Sequence, residues 1–176
     1  PIGQLFITLG PTGRFDNVAV VGLGTGTLAA YAEPGQSFTF YELDPYVIEV
    51  ANNPGSFTFL GDARNRGAKI DIVTGDARLK LVTAPDARYD LLILDAFSSD
   101  SIPMHLMTRE AFQLYLKKLA PGGIISCHIS NRYLDLKSVV AKLAEDSGLV
   151  CRIQQDSLPV TNNRRWDKVG SVWCIV

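Results

Sequence analysis

The stretch Val18-Ala-Val-Val-Gly-Leu-Gly-Thr-Gly-Thr-Leu28 constrains this chain more than any other. Val18 to Val21 reads as a buried strand. Gly22, Gly24 and Gly26 follow at alternate positions, and Thr27 opens a helix expected to run to about Glu33. A strand passing through a glycine loop into a helix suits a nucleotide. Glycine lets the backbone approach a ligand closely, and a helix N-terminus offers unpaired N–H groups. Twenty residues after Gly22 comes Glu42, at the end of a second apolar run, Phe38 to Tyr41. A carboxylate at that distance is placed to accept the ribose hydroxyls of a nucleoside.

The remaining chain alternates strand and helix signals. Ile2, Leu5, Phe6 and Leu9 have helical spacing and make residues 1–17 a lead-in to a single domain over 18–176. Asp44-Pro45 starts a helix, as N-cap and first helical residue. Residues 56–69 read as irregular, with one helical turn near Phe57 to Leu60. Strands follow at Ile70–Thr74 and Tyr89–Leu94. Thr108 caps a helix that Pro121-Gly-Gly123 ends, and Ile124–Ile129 is a fifth strand. A helix over Leu136–Ser147 and strands at Leu149–Ile153 and Ser171–Val176 complete the chain. This order predicts an α/β domain: a doubly wound, mainly parallel seven-stranded sheet with helices on both faces.

Ligands of such sheets bind beyond the carboxyl ends of the strands. Three acids fall there: Glu42, Asp76 after Thr74-Gly75, and Asp95 after Leu94. Asp76 also reads as a plain N-cap, and Asp95 as a turn former. The tetrad Gly-Asp-Ala-Arg occurs at Gly61 and at Gly75. Only the second copy follows a strand, so Asp62 reads as a surface acid. His128 ends the fifth strand on the same edge, where it serves either the substrate or a structural hydrogen bond. His105, in the loop after Asp95, reads as lining the pocket or facing solvent.

Composition narrows the function classes. With 176 residues, 47% of them hydrophobic and 20% charged, the chain is large enough for one core. A net charge of -1 gives no global field for nucleic acid or membrane. Arg164-Arg165 is too short to suggest nucleic acid, and Trp166 and Trp173 read as packing residues. Cys127, Cys151 and Cys174 are far apart in apolar contexts, so they read as buried thiols, with no metal site and a reducing, cytoplasmic setting. No apolar run is long enough to span a bilayer.

Together these stretches resemble the class I S-adenosylmethionine-dependent methyltransferase fold, a Rossmann-like architecture. More narrowly they resemble its spermidine synthase (aminopropyltransferase) branch. The residues carrying the likeness are Val20 to Gly26, Tyr-Glu-Leu-Asp-Pro at Tyr41 to Pro45, Gly75 to Ala77, Tyr89 to Ala96, and Leu-Ala-Pro-Gly-Gly at Leu119 to Gly123. The resemblance implies that Gly22, Gly24 and Gly26 approach the nucleoside and that Glu42 holds its ribose. Asp76 would accept from the adenine amino group, and Ala77 would back the ring. Asp95 would be the catalytic acid–base residue, with Asp100 on the substrate side. The co-substrate would be S-adenosylmethionine or its decarboxylated form, the acceptor a polyamine such as putrescine, and the assembly a homodimer. Two departures stand against the pattern: Thr25 occupies the glycine loop where the synthases carry an acid, and no upstream Tyr-His segment or β domain is visible. Pro1-Ile-Gly-Gln4 resembles residues that follow that segment in synthase-like proteins, some fused to membrane-spanning regions. The chain is therefore expected to be a fragment, with a membrane tether in the longer protein as one form. The alternatives are a methyltransferase of unknown acceptor, a non-catalytic nucleoside-binding domain and, more distantly, an NAD oxidoreductase.

Overall fold

The computed structural model describes residues 1–97, 102–131, 135–156 and 170–176. Seven strands form one sheet: β1 (Asn17–Val21), β2 (Ser37–Glu42), β3 (Lys69–Thr74), β4 (Tyr89–Leu94), β5 (Leu119–His128), β6 (Arg152–Gln155) and β7 (Val172–Ile175). Their spatial order is β3-β2-β1-β4-β5-β7-β6. The first five run parallel, and β7 is antiparallel to both β5 and β6. The expected doubly wound sheet is therefore the sheet observed.

The period-two geometry of a strand explains the two-sided core. Val18 and Val20 point to one face, Ala19 and Val21 to the other. Leu91 and Ile93 divide from Leu92 and Leu94 in the same way. One face is covered by α1 (Ile2–Leu9), α2 (Pro45–Asn52) and α3 (Phe59–Asn65), and the other by α4 (Ala77–Thr83), α5 (Arg109–Lys118) and α6 (Lys137–Asp146). Burying each such aliphatic side chain contributes about 1.5–3 kcal/mol, so strands apolar on both faces must lie at the centre. The lead-in helix belongs to this packing. Phe6 stacks on Tyr31 with ring centroids 4.8 Å apart.

Four local expectations need correction. The helix after the glycine loop is a five-residue 3₁₀ turn, Thr27–Tyr31, rather than an α-helix to Glu33. Pro34 disfavours helical backbone at the residue before it. Arg66 donates to the carbonyls of Ala29, Ala30 and Ala32, satisfying groups that a longer helix would have paired. Residues 59–65 form α3 rather than an irregular stretch. Only Leu60 and Ala63 of α3 are buried, too few to show helical periodicity. β5 begins at Leu119, before Pro121-Gly122-Gly123, with a register shift against β4 between Tyr89 and Leu91. The glycines sit in a bulge of the strand instead of ending the segment before it. β6 starts at Arg152, and all four of its residues are exposed, as a polar edge strand requires.

Gly22 joins the two central strand ends. Its φ is +97°, and a Cβ there would stand 2.5 Å from the carbonyl oxygen of Asp95. Gly22→Ala is expected to destabilise the fold by roughly 2–4 kcal/mol, adding left-handed strain to a backbone clash. The denaturant midpoint reads this directly, and an unchanged midpoint would remove the close approach from the account.

Candidate functional site

Backbone hydrogen bonds align four strand ends at the carboxyl edge. Gly22 N–H donates to Tyr41 O, Asp95 N–H to Val21 O, and Gly75 N–H to Glu42 O, at 2.8–2.9 Å. Above this row lies a cavity of about 620 Å³. Gly22 and Gly24 of the glycine loop, Glu42, Asp76, Ala77 and Asp95 all line it, and so do Phe97 and His105. Its volume is in the range of small-molecule and cofactor sites.

Glu42 is held by the backbone on both sides. Leu23 N–H donates to its Oε2 and Asp44 N–H to its Oε1, each at 2.9 Å. A carboxylate has about four acceptor sites, so each oxygen keeps a lone pair for a ribose hydroxyl. The same two bonds tie the glycine loop to the end of β2. Asp44 in turn accepts from Tyr46 N–H at 2.8 Å and caps α2, as its sequence position predicts.

Asp76 does two things at once. Its Oδ1 accepts from Leu79 N–H at 3.0 Å and caps α4. Its Oδ2 stands 3.7 Å from His105 Nε2 at the cavity wall. Ala77, the first residue of α4, is buried beside it. The other Gly-Asp-Ala-Arg copy lies within α3, where Asp62 is exposed.

Asp95 ends β4 with its carboxylate on the cavity. Its Oδ1 accepts from His128 Nδ1 at 2.7 Å. His128 comes from the end of β5, and its ring stacks on Trp173 of β7 at 4.5 Å and 8°. Phe97 meets it edge-on at 4.6 Å. His128 does not line the cavity and reaches it through Asp95. Gly26, expected beside the ligand, also lies off the lining. Its φ is +81°, and a Cβ there would meet the Leu60 side chain at 2.9 Å, so the left-handed turn and the packing against α3 together account for that glycine. Asp100, Arg164, Arg165 and Trp166 fall outside the described residues. Reading the sequence missed Phe97 and the pairing of Asp95 with His128. No local signal marks either one.

The lining is acidic. Glu42, Asp44, Asp76 and Asp95 contribute four carboxylates, and no lysine or arginine is among the described lining residues. No group of three or more metal-ligating side chains is found among the described residues. No described helix is long and apolar enough to cross a membrane.

No family model matches the chain. A curated polyamine aminopropyltransferase of Vibrio vulnificus (strain CMCP6) is 33% identical over 115 residues, covering 62% of this chain and 36% of that protein. Over these residues the chain is similar to that aminopropyltransferase. It spans little more than a third of the length of that relative. A spermidine synthase solved in complex with the transition state analogue AdoDATO superposes with a TM-score of 0.65 at 17% identity, over 92% of this chain and 54% of that one. A putative O-methyltransferase from Klebsiella pneumoniae superposes at 0.64 and 15% identity, over 99% of this chain and 78% of that one. The architecture is thus the class I methyltransferase fold, on which more than one transfer chemistry is built.

Proposed function

We propose that this chain is the nucleoside-binding catalytic domain of an aminopropyltransferase, a transferase of polyamine biosynthesis. It would carry the aminopropyl group of decarboxylated S-adenosylmethionine to a small amine such as putrescine. The observation that carries this reading is the acidic lining with no lysine or arginine among its described residues. The decarboxylated nucleoside and a polyamine are both cations. S-adenosylmethionine brings a further carboxylate, which four carboxylates would repel.

In the proposed reaction Glu42 accepts the ribose hydroxyls, and the loop at Gly22 and Gly24 lets the backbone approach the ligand. Asp76 and Ala77 hold the adenine. The amine arrives protonated and cannot attack in that form. Asp95 takes its proton, and the freed lone pair forms a C–N bond to the carbon next to the sulfonium. The C–S bond breaks with its electron pair going to sulfur, which leaves neutral methylthioadenosine. An anionic acceptor at the reacting amine both draws in the cation and removes its proton.

Thr25 favours a second reading, methyl transfer from S-adenosylmethionine. It lines the cavity and bonds Thr27 through their hydroxyls, where an acid for the aminopropyl ammonium would otherwise sit. The same proposal takes residues 1–17 as lead-in and 18–176 as the ligand-binding domain, in a cytoplasmic homodimer with no nucleic-acid partner. Calorimetric titration with S-adenosylmethionine, its decarboxylated form and methylthioadenosine separates the two transfers. Tighter binding of the decarboxylated form, with methylthioadenosine also bound, is expected. Preference for S-adenosylmethionine would transfer the assignment to a methyltransferase, and binding of none would leave a fold without its nucleoside.

A further inference from the structure

The contacts around His128 form a closed chain that the proposed reaction does not use. Val172 N–H donates to Ser130 Oγ at 2.8 Å. That hydroxyl lies 2.9 Å from His128 Nε2, and His128 Nδ1 lies 2.7 Å from Asp95 Oδ1. Trp173 below and Phe97 at the edge prevent the ring from turning. Asp95 and His128 keep only 29% and 21% of their side-chain surface, so each contact works in a partly desolvated setting.

We propose that His128 is a positioning residue that turns Asp95 into a one-sided base. The Asp95 carboxylate can only accept, so Nδ1 must donate to it, and Ser130, whose oxygen accepts from Val172 N–H, turns its own proton to Nε2. The neutral imidazole then carries its own proton on Nδ1 and donates it to Asp95 Oδ1. Every donor and acceptor in the chain is matched in that tautomer. Asp95 Oδ1 is pinned by His128, and no hydrogen bond to Oδ2 is found among the described residues, which leaves Oδ2 for the cavity that Asp95 lines. A freely rotating carboxylate would divide its time among orientations. This one presents a single oxygen to the incoming ammonium, and orienting a base contributes to its rate as well as its pKa does. The order reverses the Ser-His-Asp arrangement of hydrolases: the carboxylate meets the substrate, and the histidine stands behind it.

The kinetic arm of the test rests on the transfer reading given above; the spectroscopic arm does not. His128→Phe keeps a ring to stack on Trp173 and removes both nitrogens. It is expected to fold, to bind methylthioadenosine as before, and to lose about 10- to 100-fold in kcat with little change in the KM for the nucleoside. That loss is smaller than the roughly 100- to 10,000-fold that a placed acid–base group supplies. His128→Asn offers an amide N–H near the position of Nδ1 and should recover most of the loss. Wild-type kcat in His128→Phe, or equal losses in both variants, would overturn the proposal. Nitrogen-15 NMR of the histidine-labelled chain, followed over a pH series and read on the neutral ring, reports the tautomer without any reaction. A proton on Nδ1 and none on Nε2 is expected. A protonated Nε2 overturns the proposal, and an unchanged tautomer in Ser130→Ala overturns the part given to Ser130. If the wild-type chain transfers nothing while Nδ1 carries the proton, the function assignment has failed and the positioning has not.

Discussion

Asp95→Asn is expected to stop group transfer while leaving nucleoside binding intact. An asparagine oxygen still accepts from His128 Nδ1, which donates to Asp95 at 2.7 Å, so the carboxamide should stay in place. What disappears is the negative charge and the ability to take a proton. Removing a placed general base costs roughly 100- to 10,000-fold in rate, and kcat should fall within that range. The affinity for methylthioadenosine, a neutral molecule lacking the reacting carbon, should be largely unchanged. Single-turnover kinetics beside calorimetry separates the two effects. Wild-type turnover in the asparagine variant would end the general-base assignment. A collapse in methylthioadenosine affinity would instead make Asp95 a nucleoside-binding residue.

Glu42→Ala should produce the opposite pattern, with loss of nucleoside binding before any chemistry. Each hydrogen bond to a charged group contributes about 1.5–3 kcal/mol. Two ribose hydroxyls on one carboxylate therefore correspond to roughly 100- to 10,000-fold in the dissociation constant. The substitution also frees Leu23 N–H and Asp44 N–H, which Glu42 now accepts. Both flank the open cavity, so water can take over those bonds. The unfolding midpoint should accordingly move little while the affinity collapses. Unchanged affinity would remove Glu42 from the ribose site, and a large fall in stability would make it a structural clasp of the glycine loop.

Much of the candidate site was legible in the chain because it sits at strand ends. An apolar run of four to six residues followed by glycine or an acid marks such an end without any tertiary knowledge. Glu42, Asp76 and Asp95 were found in this way, and all three line one cavity. The choice of the second Gly-Asp-Ala-Arg copy had the same basis, since only that copy follows a strand. Gly26 looked equivalent to Gly22 and Gly24, yet it faces Leu60 of a helix that the sequence announced only as a single turn. Spacing alone does not distinguish a glycine required by a ligand from one required by a neighbouring helix.

Lys118 shows a similar limit. Nothing in the sequence reading assigned it a place, yet at the end of α5 it is buried and donates to the carbonyls of Val82 and Ala84 and to Asp86. It satisfies orphan carbonyls at the end of α4, a need created only when the two helices pack.

The amino-acid order by itself determined the alternation of strands and helices, the two-faced core, and which acids reach the carboxyl edge. These follow from side-chain period and from turn chemistry, both of which act over a few residues. The tertiary structure alone decided that Asp95 meets His128, 33 positions away along the chain. That contact requires β5 to lie beside β4 in a particular register, β7 to return antiparallel with Trp173 under the ring, and Ser130 to be held by Val172. Local propensity carries no information about such a meeting, because its geometry arises only when the sheet closes around it.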